Sequence, residues 1–168
     1  MAIIPRNRKL IVCDPEKCTG CQICEYVCSI VKEKTINWKK SRIRTVRIEP
    51  IFNTAIPCRK CEKPICEKAC PRDALHPKED GTIEINKDKC DGCGWCIEAC
   101  EFGVIRLHPE NKIAFVCDYC QDAGEPQCVK WCPKEALKFT TLEQVGAEAS
   151  RKAFKSLLKE LEDVSKKE

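Results

Sequence analysis

The sequence predicts an α+β fold: two small cysteine-rich modules, one nested in the other, followed by a long C-terminal helix. Three observations predict it. Sixteen of the 17 cysteines in this 168-residue chain fall into four groups of fixed spacing. Short β-prone runs and short helical stretches alternate around those groups, in segments that repeat. After Phe139 the pattern changes to one apolar stripe of helical period.

In chain order, Lys9-Leu10-Ile11-Val12 reads as the first strand, and Cys24 to Val31 as a short helix. Ser41 to Ile48 alternates polar and apolar residues, so it reads as a half-buried strand with a basic outer face, begun by Trp38. Thr82-Ile83-Glu84-Ile85 is a strand after an Asp80-Gly81 turn, a strong hairpin signal. Cys96 to Ala99 is a second short helix. Val104 to Leu107 and Ile113 to Val116 form a hairpin across Pro109-Glu110-Asn111.

In the tail, Thr141 and Gln144 form a capping-box pair. Leu142, Val145, Ala149, Ala153, Leu157, Leu161 and Val164 recur every three or four residues, widened by Phe154 and Leu158. This predicts a helix of roughly 24 residues, about 36 Å long, with a frayed Ser165-Lys166-Lys167-Glu168 end. It either covers its own domain or docks on a partner.

The cysteine groups carry the chemistry. Cys18, Cys21, Cys24 and Cys28 read C-x2-C-x2-C-x3-C, and Cys90, Cys93, Cys96 and Cys100 repeat that spacing. Cys58, Cys61, Cys66 and Cys70 read C-x2-C-x4-C-x3-C-P, and Cys117, Cys120, Cys128 and Cys132 read C-x2-C-x7-C-x3-C-P. Four thiolates are the ligand set of one 4Fe-4S cluster, and C-x2-C-x2-C-x3-C is the bacterial ferredoxin run. Structural zinc sites instead pair two C-x2-4-C units across a longer loop. The Cys-Pro endings at Pro71 and Pro133 also belong to the ferredoxin pattern. Four groups imply four 4Fe-4S clusters in two ferredoxin-like dicluster modules. So little conventional core suggests that cluster assembly and folding are one process.

Repetition supports duplicated units. Lys17-Cys18-Thr19-Gly20-Cys21 recurs as Lys89-Cys90-Asp91-Gly92-Cys93, and Cys70-Pro71-Arg72-Asp73-Ala74-Leu75 as Cys132-Pro133-Lys134-Glu135-Ala136-Leu137. Gly20 and Gly92 let the backbone curl around sulfur. The fourth cysteine of a ferredoxin run ligates the neighbouring cluster. Motifs two and three are separated by 19 residues (71–89), the natural span of one module, whereas 29 residues (29–57) separate motifs one and two. Two with three and one with four is therefore the expected pairing. The four sites are then Cys18, Cys21, Cys24, Cys132; Cys117, Cys120, Cys128, Cys28; Cys58, Cys61, Cys66, Cys100; and Cys90, Cys93, Cys96, Cys70. The domains follow: 1–57 with 101–140, an inserted 58–100, and a tail 141–168. A tandem pairing, one with two and three with four, is the rival.

Charge and compartment exclude other classes. The formal charge is +4, which alone suggests nucleic acid. Each bound cluster with its thiolates carries about 2−, so four bring the loaded chain to roughly −4. The basic residues then balance buried anions, and no nucleic-acid partner is expected. No signal-peptide h-region and no membrane-spanning run is present, so the expected location is cytoplasmic, with no membrane partner.

Other residues read as structural. Cys13 is a buried, inert thiol, and His76 and His108 are turn residues before proline. Trp95 and Trp131 shield neighbouring clusters. No pterin, nucleotide or flavin motif suggests substrate processing, so the chain is not catalytic alone.

The order of the four motifs, over about residues 9 to 140, resembles the four-cluster electron-transfer subunits of oxidoreductases, the dimethyl sulfoxide reductase iron–sulfur subunit family. Relatives serve formate dehydrogenase, hydrogenases, carbon monoxide dehydrogenase and tungsten aldehyde oxidoreductases. Asn37 to Arg44 and Cys58 to Cys66 look most like the compact members beside the tungsten enzymes. Ser29 and Glu101 stand where many relatives have proline, and the long insertions of respiratory members are absent. The resemblance implies electron transfer between a larger tungsten- or molybdenum-pterin subunit and ferredoxin or another redox protein. A carbon monoxide dehydrogenase or hydrogenase partner, or a free-standing polyferredoxin, is the alternative.

Overall fold

The computed structural model describes residues 8–48 and 50–165. Strand β1 (Lys9–Cys13) pairs antiparallel with β8 (Leu137–Thr141), Ile11 lying opposite Phe139. The two ends of the cysteine-rich region therefore meet. Leu10, Ile11 and Leu137 are buried there, each contributing about 1.5–3 kcal/mol before chain entropy is subtracted.

Helix α1 (Ile23–Glu33) extends two residues beyond its expected end. Both flanking residues are left-handed, Gln22 at φ 63° and Lys34 at φ 55°, and the Lys34 amide donates to the Ile30 carbonyl at 3.0 Å. This is an αL stop without glycine. A 3₁₀ turn covers Trp38–Lys40, where the Asn37 side chain accepts from the Lys39 amide at 3.0 Å. Trp38 therefore does not begin the following strand, as the alternation suggests. Strand β2 is Arg44–Ile48, and it pairs with β3 (Phe52–Ile56), a strand the sequence reading did not anticipate. The expected alternation fails at its end: Arg47 and Ile48 are both exposed. Arg44 is exposed as the basic outer face requires, but Arg47, three residues on, is exposed on the opposite face of β2.

Helix α2 (Ile65–Lys68) leads to β4 (Leu75–Pro77), which pairs with β5 (Ile83–Ile85) around Gly81 at φ 83°. Helix α3 (Trp95–Glu98) precedes the hairpin of β6 (Arg106–Leu107) and β7 (Ala114–Phe115). Helix α4 (Gln127–Lys130) leads into β8. The order is α+β, with four two-stranded sheets among the described residues. Two helix pairs stand out: α1 packs on α4, and α2 on α3.

Helix α5 (Leu142–Ser165) has the length that the stripe predicts. Its capping box is reciprocal: the Gln144 amide donates to Thr141 Oγ1, and the Thr141 amide to Gln144 Oε1, both at 3.3 Å. Val145 and Ala149 face Val12 and Cys13, and Lys138–Glu148 and Lys152–Glu16 ion pairs tie the helix down. Beyond that point Phe154, Leu157, Leu158 and Leu161 are exposed. Even in the first turns Leu142 is 50 % exposed and only Val145 is half-buried, so the domain leaves most of the stripe uncovered. Of the frayed end expected at Ser165-Lys166-Lys167-Glu168, Ser165 is the last residue of the helix and the other three lie outside the described residues.

Candidate metal centres

The cysteines sit where loops meet helices. Cys24 and Cys28 ride on α1, Cys66 on α2, Cys96 on α3 and Cys128 on α4. The other cysteines of each motif lie in adjoining loops. Cys28, Cys96 and Cys128 anchor α1, α3 and α4 as buried core residues, and Cys66 of α2 packs against the same core while only partly buried.

Three cavities each gather four of them. One is lined by Cys18, Cys21, Cys24 and Cys132, with Gly20, Ala55, Ala136 and Leu137. A second holds Cys58, Cys61, Cys66 and Cys100, walled by Ile83, Val104, Ile105 and Val116. A third holds Cys70, Cys90, Cys93 and Cys96, with Leu75, Leu107 and Ala114. Each combines three cysteines of one motif with the last of another. Cys28, Cys117, Cys120 and Cys128 also lie together. Burial pushes the Cys117 and Cys128 thiols up, and the neighbouring Cys28 charge raises both further. Cys128 also feels Cys117 and Cys120.

The same forces act elsewhere. Burial pushes Cys24 up to about 12, against the Thr45 hydroxyl 3.6 Å from its sulfur. Burial and neighbouring thiols carry Cys66 to about 12 and Cys96 to about 11. Cys58 reaches about 11 through burial, opposed by the Lys60 amide and charge. Thiols this hard to ionise among close neighbours need a cation to hold them as thiolates.

The donor set fits 4Fe-4S clusters. Soft sulfur ligands dominate apolar linings. Backbone N–H groups already point at sulfur: Arg42 to Cys28 at 3.2 Å, Ala74 to Cys70 at 3.3 Å and Ala114 to Cys90 at 3.4 Å. Such donors stabilise bound thiolate and tune its cluster. Among the described residues no three His, Cys, Asp or Glu side chains converge closely enough for a single ion. A four-iron cube holds its ligands at its corners and suits this wider spacing.

Buried cations lie between the sites. Lys60, 4 % exposed, reaches Asp80 at 3.1 Å, and its Nζ sits 4.0 Å from the centre of the Tyr119 ring. The Tyr119 hydroxyl donates to the Cys58 carbonyl, joining the loops of motifs four and two. Arg42 meets Asp118 at 2.8 Å and Glu33 at 3.3 Å, and Lys32 meets Asp118 at 2.8 Å. No spacing rule signals these residues: Lys60, Asp118 and Tyr119 lie inside cysteine motifs, whereas Lys32, Glu33, Arg42 and Asp80 lie outside them.

Several structural roles change. Gly92, at φ +73°, is required by the hairpin rather than by sulfur: a Cβ there would lie 2.4 Å from the Lys112 carbonyl oxygen. Cys13 is half-buried rather than buried, and its thiol is raised mainly by desolvation. Trp95 and Trp131 are 64 % and 60 % exposed, too open for the shielding role expected of them. His108 is a turn residue, its Nδ1 accepting from the Glu110 amide at 3.3 Å. His76 lies in β4, 3.9 Å from Asp73. Among the described residues no helix is long and apolar enough to cross a membrane.

Known proteins share these features. The thiosulfate reductase electron transfer subunit of Salmonella typhi is 31 % identical over 150 residues, 82 % of this chain and 78 % of that protein. The polyferredoxin-like subunit of the aliphatic sulfonate oxidoreductase of Pyrococcus furiosus is 36 % identical over 140 residues, covering 81 % of this chain and 80 % of the relative. A ferredoxin of Methanocaldococcus jannaschii is 35 % identical over 162 residues, 94 % of this chain and 98 % of its own length. The family profile for the 4Fe-4S dicluster domain matches residues 50–142. With the cysteine-lined cavities, these likenesses establish that the chain belongs to the 4Fe-4S dicluster domain family.

Proposed function

We propose that this chain is the electron-transfer subunit of an oxidoreductase complex, carrying four 4Fe-4S clusters and no catalytic site of its own. The observation that carries the reading is the mixing of cysteines in the cavities. Each draws three from one motif and the last from its partner motif, as a dicluster module requires. The residues that would hold the clusters are Cys18, Cys21, Cys24, Cys132; Cys28, Cys117, Cys120, Cys128; Cys58, Cys61, Cys66, Cys100; and Cys70, Cys90, Cys93, Cys96. When bound, each cluster supplies reversible one-electron redox chemistry.

The nested arrangement is favoured over the tandem one. Pairing of β1 with β8, packing of α1 on α4, and packing of α2 on α3 all support joining motif one to four and two to three. Residues 58–100 are then an insertion between 1–57 and 101–140, with 141–168 as an appended helix. The chain's own part is to fix the spacing of the sites. Cys128 is close enough to Cys24, and Cys117 to Cys58, for their charges to interact, which supports adjacency of those three sites, with the Cys117–Cys128 site in the middle.

The catalytic partner we propose is a larger tungsten- or molybdenum-pterin subunit in the cytoplasm, with ferredoxin or another redox protein at the far end. The named relatives that are subunits of thiosulfate reductase and aliphatic sulfonate oxidoreductase support a multi-subunit setting. Anaerobic purification from the native source tests it. Iron near sixteen atoms per chain and a copurifying subunit with tungsten or molybdenum are expected. Iron near eight per chain, or a chain that always purifies alone, overturns the reading.

A further inference from the structure

An open cleft of about 450 Å³ lies between the 3₁₀ turn at Trp38–Lys40, β2 and β6. Lys39, Arg44 and Arg106 line it. Among the described residues none of the three forms an ion pair with a carboxylate. The one acidic lining residue, Glu25, is buried and accepts a hydrogen bond from the Thr45 amide. The two arginines are held in place. Arg106 donates to the Trp38 carbonyl at 2.9 Å, and Arg44 to the Gly103 carbonyl at 3.3 Å. Arg106 and Lys39 flank the Trp38 ring, at 5.9 and 5.7 Å from its centre. The indole is half-exposed, and Ile36, two residues earlier in the chain, is 73 % exposed.

The cleft also reaches a candidate cluster. Gln22 and Thr45 line both the cleft and the cavity of Cys18, Cys21, Cys24 and Cys132. The Thr45 hydroxyl stands 3.6 Å from Cys24 Sγ. A protein seated in the cleft is thus separated from that site by one side chain.

We propose that this cleft docks a small acidic electron-carrier protein. Its carboxylates would sit between Arg44 and Arg106, and its apolar surface would sit on Trp38 and Ile36. The inference rests on the electron-transfer reading above and adds to it the surface and the charge of the carrier. A permanent catalytic partner would need a broad apolar interface, whereas transient electron-transfer encounters are small, and their association is steered by charge. One electron passes per encounter: the chain loses one, the carrier gains one, and no bond is made or broken. Two encounters therefore drain the two electrons of a substrate oxidation.

The test is stopped-flow electron exchange between the reduced, cluster-loaded chain and a small acidic ferredoxin, at low and high salt. Methyl viologen, a small cation, serves as the control acceptor. In the wild type the ferredoxin rate should fall about tenfold or more as salt rises. In Lys39→Glu/Arg44→Glu the low-salt rate should drop by about tenfold and lose most of its salt dependence. Iron content and the EPR spectrum should not change, and the rate with the cationic methyl viologen should not fall. If that variant loads less iron, Lys39→Gln/Arg44→Gln provides the same comparison without charge reversal. A wild-type ferredoxin rate and salt slope in an iron-replete variant would overturn the proposal. So would a cleft that retains a labelled single-stranded oligonucleotide in preference to the ferredoxin. Absence of redox-active clusters in the wild type, seen by EPR alone, would instead overturn the electron-transfer reading itself.

Discussion

Gly92 and Gly94 lie two residues apart in one cluster loop, and both have positive φ, +73° and +86°. Replacing either with alanine forces an L side chain into the left-handed region, at about 1–2 kcal/mol. Only Gly92 meets a second obstacle. Its new Cβ would sit 2.4 Å from the Lys112 carbonyl oxygen, whereas nothing lies within 4 Å of a Cβ at Gly94. That carbonyl belongs to the backbone joining β6 to β7, so it cannot swing aside as a side chain would. Displacing packed backbone costs about a further 1–3 kcal/mol. Gly92→Ala should therefore cost roughly 2–5 kcal/mol, and Gly94→Ala about 1–2. In a chain of this size each kcal/mol lowers the melting midpoint by about 2–4 °C. Anaerobic thermal melts of the cluster-loaded variants, followed by circular dichroism and by loss of brown colour, measure the difference. Equal midpoints for the two variants would refute the steric argument.

Gly146→Ala, at an exposed helical position with nothing within 4 Å, should stabilise α5 by about 1 kcal/mol, read as a higher helical melting midpoint. Iron removal should leave the chain largely disordered by circular dichroism, because its cysteines form part of its core; a cooperative native-like apoprotein melt would contradict this. Any residual apo fold should weaken as pH climbs from about 9 towards 12: thiols raised to about 11 or 12 by burial favour the folded state only while protonated, and iron-bound thiolates in the loaded protein lack this dependence. Deleting residues 141–168 should leave the iron content unchanged and weaken assembly with the catalytic partner or other copies, measured by light scattering; unchanged assembly with lost iron would place the helix in the domain's own core. Lys60→Met should lower the reduction potential of a cluster in redox-titrated EPR, since a buried cation stabilises the extra negative charge of the reduced state; unaltered potentials would show that Asp80 fully cancels it.

The cysteine spacing and the tail stripe were legible because each is a local, periodic signal. Sixteen positions in four runs need no tertiary context, and α5 repeats its apolar residues over many turns. β3 was not legible for the opposite reason. Phe52-Asn53-Thr54-Ala55-Ile56 does not alternate by hydrophobicity, and it becomes a strand by pairing with β2, burying Ala55 alone among its five residues. Trp95 and Trp131 misled because adjacency in sequence to a cysteine says nothing about direction. Each lies in or beside a four-residue helix whose cysteine turns inward while the indole turns out. For Gly92 the residue was recognised and its cause was not: the constraint comes from Lys112, twenty residues away in the chain.

The cations follow a division that the net charge conceals. Lys32, Arg42 and Lys60 are inside or nearly so, and each is matched to Asp118 or Asp80. Burying an unpaired charge costs several kcal/mol, so these ions come with partners and add little net charge to the interior. The anionic load of bound clusters must then be met mainly by backbone N–H groups at sulfur, as at Cys28, Cys70 and Cys90, and by surface cations acting through the low-dielectric interior. Lys39, Arg44 and Arg106, which have no carboxylate partner among the described residues, belong to that second group. Their charge is therefore available both to the nearby cluster site and to whatever approaches it. A docked acidic carrier would neutralise them and raise the energy of an electron held on the chain. The same encounter that seats the carrier would thus favour release of the electron into it.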